Sequence, residues 1–201
     1  MYRGNSPAKR LLPVAIILVV IAIAIAALVS VGRAIFGGDQ SDPTKVDAGQ
    51  QALVETSARN SVRMTVRGPI VADENFRSYR ISADVNGRNM TTYTGYIEQP
   101  IETKDYANNL QAYEEFVYAL DKANLMDGTA LAGAADDTRG ICATGKVYEF
   151  EVLRDGNVIE RLWTSTCKGS PGSFRGSTDQ IEKLFKAQIP DQKTLLKSID
   201  L

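Results

Sequence analysis

The sequence predicts an α+β fold in which one domain carries an antiparallel sheet of about five strands with amphipathic helices on one face, behind an N-terminal transmembrane helix. Three observations predict the domain. Apolar and polar residues alternate through Val62–Val66, Tyr79–Val85 and Tyr148–Val152, the period of half-buried strands. Asn86-Gly87 and Asp155-Gly156 separate such runs and predict hairpin turns, because both residue types tolerate positive φ. After each hairpin, apolar residues recur at helical spacing: Leu110, Tyr113, Phe116, Val117 and Leu120, then Ile181, Leu184, Phe185 and Ile189.

The transmembrane helix rests on the stretch from Leu11 to Val31, 21 residues without a charge. At about 1.5 Å per residue this crosses a hydrocarbon core of about 30 Å. Arg3, Lys9 and Arg10 precede it and no acid does, which keeps the N-terminus cytoplasmic and sends the rest outward, Arg33 being the one contrary charge. A cleaved signal peptide is the competing reading, but its apolar core is shorter, about 7–15 residues. The expected layout is a cytoplasmic N-terminus (1–10), a signal anchor (11–35), a Gly/Asp/Ser/Pro-containing stalk (36–46) and an extracytoplasmic α+β domain (47–201).

Composition excludes much of enzymology. Histidine is absent, which removes the usual neutral-pH base, the commonest zinc ligand and every Ser-His or Cys-His pair. Residues 1–36 hold four of the 23 basic residues and no acid, leaving 19 basic against 24 acidic residues, a net charge near −5. Scattered charge of that sign has no footprint for nucleic acid, which is not an expected partner. Without a Gly-rich phosphate loop or a metal-ligand cluster, no cofactor is expected. Cys142 and Cys167 are the only cysteines. Outside the cytoplasm they are expected to pair, two buried free thiols being the alternative.

Taken in order, residues 47–61 predict a helix with a thin apolar stripe, and 61–67 a strand ended by Gly68-Pro69. With Asn86-Gly87 as the turn, Ala83 faces Met90 and Ile81 faces Thr92 towards the core, and Arg80 faces Tyr93 outside. A polar connection follows over 98–106. The next helix is capped by Asp105 or Asn108, and Ser177 to Gln180 predicts a capping box on the last long helix, ended by Pro190. Residues 193–201 predict a short final helix. About Asp155-Gly156, Tyr148 is expected opposite Trp163 and Val152 opposite Ile159, with Cys167 on the face of Trp163. The similar spacing of the two hairpins and their helices suggests two hairpin-plus-helix units.

Candidate surface residues are few. Glu151 and Glu160 are expected as cross-strand neighbours on the outward face beside Glu149, either a cation or carboxylate site or a solvated acidic face. Arg161 breaks the binary pattern, falling on the expected core face with Trp163, so it should reach the rim or pair with an acid. Asp136-Asp137 lacks the spacing of a calcium loop. Tyr93, Tyr96, Tyr106 and Trp163 are candidates for stacking on sugars, and Asn89-Met90-Thr91 matches a glycosylation sequon.

From Arg139 to Gly176, the run RGICATGKVYEFEVLRDGNVIERLWTSTCKGSPGSFRG, with IEKLFKAQIPD after it, resembles uncharacterised single-pass, membrane-anchored extracytoplasmic proteins of small-genome candidate-phylum bacteria. That resemblance implies a bacterial cell membrane location, makes the sequon idle and carries no activity to individual residues. The function expected is a non-enzymatic envelope binding module for a protein or cell-wall partner. A histidine-independent hydrolase or transferase using Asp and Glu, or a structural subunit of a membrane assembly, are the alternatives.

Overall fold

The computed structural model describes residues 48–170, 172–199 and 201; the expected cytoplasmic segment, anchor and stalk lie outside them. Among the described residues no helix is long and apolar enough to cross a membrane. Their elements are α1 (Ala48–Val54), β1 (Asn60–Arg67), β2 (Arg77–Asp84), β3 (Gly87–Thr94), β4 (Gln99–Ala107), α2 (Leu110–Lys122), β5 (Val147–Arg154), β6 (Asn157–Ser165), α3 (Thr178–Ala187) and α4 (Gln192–Lys197). The fold is α+β. All six strands form one antiparallel sheet in the order β4-β3-β2-β1-β5-β6, so both hairpins join the same sheet from opposite sides of β1.

One face of that sheet holds the core. Val62, Met64 and Val66 of β1, Tyr79 and Ile81 of β2, Met90 of β3 and Phe150 and Val152 of β5 lie under Tyr113, Phe116, Val117 and Leu120 of α2, Ile181 and Phe185 of α3, and Leu53 and Leu195. Phe116 and Phe185 meet edge to face at 5.3 Å, which locks α2 against α3. A smaller apolar cluster of Cys142, Val147 and Trp163, joined by Ile141 and Cys167, occupies the other face, and the expected Cys142–Cys167 disulfide is formed within it.

Five details depart from the sequence reading, the last of them in the second hairpin. A sixth strand, β4, replaces the polar connection; as an edge strand wet on both faces it shows no alternation of burial. In the first hairpin Ile81 faces Met90 and Ala83 faces Arg88. The Asp84 carboxylate accepts from the N–H of Asn86 and of Gly87 at 2.6 and 2.9 Å, moving the turn back onto Val85-Asn86. The shift is by two in register, so every side chain keeps its expected face. Asn109, rather than Asp105 or Asn108, caps α2 through the N–H of Ala112, leaving Leu110 exposed outside the stripe. Ser177 makes no side-chain cap, so the capping box is not formed.

The second hairpin turns where expected, with Asp155 and Gly156 both at positive φ (51° and 76°). Two pairs further on the register changes: Leu153 faces Val158, but Val152 faces Glu160, and Ile159 is the extra residue of a bulge. Beyond it Tyr148 lies opposite Thr164 and Trp163 opposite Glu149. One inserted residue exchanges the faces of β6, which carries Arg161 and Trp163 out of the main core and brings Leu162 in against Phe150.

Candidate functional site: a charge-locked sheet face and its end groove

Register alone assembles the site. Arg161, Glu151 and Arg63 stand side by side across β6, β5 and β1, and in the next row Trp163, Glu149, Thr65, Arg80 and Thr91 run across five strands. Glu149 and Glu151 are not a solvated face: they are only 4% and 7% exposed. Segment 133–145 covers them, tied down by the Thr138 hydroxyl, which donates to Glu149 at 2.8 Å, and by the N–H of Ile70, which donates to Ala143 O at 2.9 Å.

Each of the two buried carboxylates has a cationic partner, as burial requires. Glu151 holds Arg63, and Glu149 lies 3.7 Å from both Arg67 and Arg161. Arg161 goes on to Asp136 at 2.7 Å, and Arg67 to Glu98 at 3.5 Å. Glu98 also takes Arg80 at 2.7 Å, whose guanidinium lies 5.3 Å over the ring of Tyr93. Burial lowers the pKa of Arg80, but Glu98 and Tyr93 together raise it above the ordinary value, and Arg161 shows the same balance through Asp136 and Glu149. Opposite charges thus alternate from Asp136 to Arg80 and neutralise one another.

Where this lattice ends, beyond Arg67, a groove of about 480 Å³ opens. Ile70, Phe76, Tyr96, Ile141 and Val147 give it apolar walls, and Arg67 and Arg139 stand at its rim. Phe76 and Tyr96 stack at 4.1 Å. The Tyr96 hydroxyl donates to Val71 O at 2.7 Å and accepts from Val71 N at 3.0 Å, while Tyr96 N–H donates to the Asp73 carboxylate at 2.8 Å, so the ring is held from both ends. Arg139 donates to both oxygens of Asp137, which holds that carboxyl down at about 2. Outside the lip Ile70, Val71, Tyr96 and Ile97 are exposed together, Ile97 by 87%.

Of the sequence candidates, Glu149, Glu151 and Arg161 are brought together and Glu160 is not. The bulge turns Glu160 to the helix face, where its carboxylate accepts from Gly49 N–H at 3.1 Å at the start of α1. Glu151 faces Arg161 instead of Glu160. Asp136 and Asp137 are engaged by Arg161 and Arg139, and among the described residues no group of three or more acids or cysteines is placed to hold a metal ion. Trp163 is buried in the smaller cluster, Tyr93 lies beneath Arg80, Tyr106 donates to Asp191 at 3.2 Å, and only Tyr96 reaches the groove. Asn89 to Thr91 lies inside β3, paired on both sides. Sequence reasoning missed Arg63, Arg67 and Glu98. The alternation of β1 put both arginines on the polar face, but Glu151 and Glu149 become visible as their partners only once β1 is known to pair with β5, and Glu98 only once the β3–β4 turn is placed over the sheet.

No protein-family model matches the chain, and no curated protein matches it. The class it belongs to is therefore defined by architecture alone: an α+β domain with an antiparallel six-stranded sheet, helices on one face, and a charge-paired, disulfide-clamped segment on the other.

Proposed function

We propose that this chain is a membrane-anchored, extracytoplasmic binding module that takes an apolar segment of an envelope protein in the groove at the Arg67 end of its sheet. The observation that carries the reading is the contrast between the two halves of the open face. Its charged side chains are spent on one another, so they favour no ionic ligand and hold no pair of acids facing a common cleft. Its groove offers apolar walls of the size typical of ligand sites, about 300–1,000 Å³, with a lip of exposed apolar residues. The uncharged 11–31 stretch with its basic flank supports the anchor and its orientation, and the disulfide agrees with an oxidising compartment.

A photo-crosslinking residue at position 96 of the full chain, in intact cells, should give one discrete protein adduct, and the same probe at Tyr118 on the far helix should not. Equal adduct patterns from both positions would remove the groove from the proposal. Protease added to intact cells should digest the domain; protection until lysis would reverse the orientation.

The exposed row Ile70, Val71, Tyr96 and Ile97 favours a second reading, a subunit of a stable membrane assembly. Co-purification at fixed stoichiometry separates it from reversible binding. We also infer that the two hairpin-plus-helix units are copies of one ancestral unit. The backbone N–H groups of Ser173 and Phe174 both donate to Trp163 O at 2.9 Å on the outer side of β6, as β4 pairs with the outer side of β3.

A further inference from the structure

The two edges of the sheet are treated differently. On β6 the segment 172–174 covers the outer side at Trp163, through those bonds to Trp163 O and a third from Trp163 N–H to the Ser173 hydroxyl at 2.9 Å. On β4, among the described residues, no segment pairs with the outer side, although β4 is nine residues long. Such an edge is a template for another strand.

Which backbone groups face outward follows from two contacts. Asn108 N–H donates to Asn86 O at 3.0 Å, so from Glu102 to Ala107, on this side of the bulge, even-numbered residues of β4 bond inward to β3 and odd-numbered ones bond outward. The hydroxyls of Thr91 and Thr103 approach to 3.0 Å, as expected of a non-hydrogen-bonded pair, whose side chains lie closer together. Thr103 and Asp105 therefore present N–H and C=O to the outside. Pro100, which lacks an N–H, sits at the β3–β4 bulge and does not interrupt them.

We propose that β4 is a self-association edge, to which a second copy of this chain adds its own β4 antiparallel, about a two-fold axis at Thr103. Charge selects that register. A lysine on an edge strand ordinarily repels a second strand, but here Glu102 lies two residues from Lys104 and pairs with it at 3.3 Å. With the axis at Thr103, Glu102 of each copy faces Lys104 of the other across a narrow pair, two ion pairs made by one operation. With the axis at Lys104 the two lysines collide, and with it at Asp105 neither charge meets its opposite. Thr103 exchanges both backbone bonds with itself, and the two sheets become continuous.

The test is a charge swap in the full-length protein, in detergent, followed by sedimentation equilibrium. The wild type should dimerise reversibly. Glu102→Lys and Lys104→Glu should each weaken the dimer by about tenfold, because two attractions become two repulsions. The double variant, which restores both pairs with signs exchanged, should recover to within about threefold. Thr103→Pro removes an outward N–H together with the hydroxyl contact to Thr91, and Thr103→Val removes that contact alone, so the proline should abolish dimerisation while the valine keeps it. A monomeric wild type, a double variant as weak as the singles, or a dimer indifferent to all of these changes would overturn the proposal, the last by placing association on another surface such as the anchor.

Discussion

The carboxylate of Glu98 lies 2.7 Å from Nη2 of Arg80, two strands in from the sheet edge, and it reaches there because Glu98 adopts a left-handed backbone conformation at φ 55°. That conformation, uncommon for a residue with a Cβ, closes the β3–β4 turn and folds the side chain back over the sheet instead of out to water. The turn consequently shows Tyr96 and Ile97 to solvent and its one acid to Arg80 and Arg67. Local backbone geometry and the neutrality of the groove rim are the same fact.

Glu98→Ala should destabilise the domain by about 1–2 kcal/mol, because two guanidinium groups roughly one-quarter to one-third exposed lose a shared acid, discounted for that exposure. Glu98→Gly removes the same carboxylate but accepts positive φ freely, so it should be about 0.5–1 kcal/mol less damaging than the alanine variant. Urea unfolding of both, with Arg80→Ala to complete a double-mutant cycle, decides the matter. Equal losses in the two variants would mean that the backbone conformation carries no strain, and additivity with Arg80→Ala would mean that the pair is not coupled.

Patterning made the helix-bearing face legible: Val62, Met64, Tyr79, Ile81, Phe150, Phe116 and Phe185 were all visible in periods of 2 or about 3.6, and burial enforces those periods. The site was much less legible, for two physical reasons. β4 touches water on both faces and so has no period to read. The Ile159 bulge is one residue of register, invisible in composition, yet it decides whether Arg161 is a buried misfit or the partner of Asp136 and Glu149. Arg161 was the hint, since a charge on an apolar face signals either function or a wrong register, and here it signalled the register.

Glu149 ties segment 133–145 to the sheet through Thr138 on one side and Arg161 and Arg67 on the other. Glu149→Gln keeps an acceptor for the Thr138 hydroxyl but leaves both arginines short of charge. A loss of about 2–3 kcal/mol is expected, below the cost of orphaning a fully buried ion because Asp136 and Glu98 remain. Hydrogen exchange should quicken first in residues 138–143, ahead of β1 and β5. Uniform acceleration across the domain would show that the segment is not a separate opening unit.

The disulfide clamps the same segment from the other end, joining positions 25 residues apart, with Trp163 and Val147 packed beside it. Replacing both cysteines by serine should cost about 3 kcal/mol from the freed loop. The loss should be largest at Ile141 and Gly140, which wall the groove, so the crosslink from position 96 should weaken before the domain unfolds. Unchanged crosslinking in the fully folded serine variant would separate the groove from the clamp.

Alkaline pH should find the fold through two tyrosines. The Tyr79 hydroxyl donates to Glu182 at 2.8 Å in the core, and burial, then the charge of Glu182, pushes its pKa well above the ordinary value of 10.0. Tyr148, beside the same carboxylate, is pushed up to about 12 by burial first and then by Glu182 and Asp179. Both groups keep their protons in the folded chain at a pH where the unfolded chain has released them. Their contribution to stability is therefore whole below about pH 10; that of Tyr148 is lost as pH rises through about 12, and that of Tyr79 falls over the same window and goes on falling beyond it. Urea midpoints measured from pH 8 to 12 should hold and then fall over that window, with the late tyrosinate absorbance rising together with unfolding. Tyr148→Phe should flatten the fall, and Glu182→Gln should shrink it by bringing both hydroxyls nearer their ordinary range. A fall of the same depth in all three proteins would assign the alkaline loss to the lysines instead.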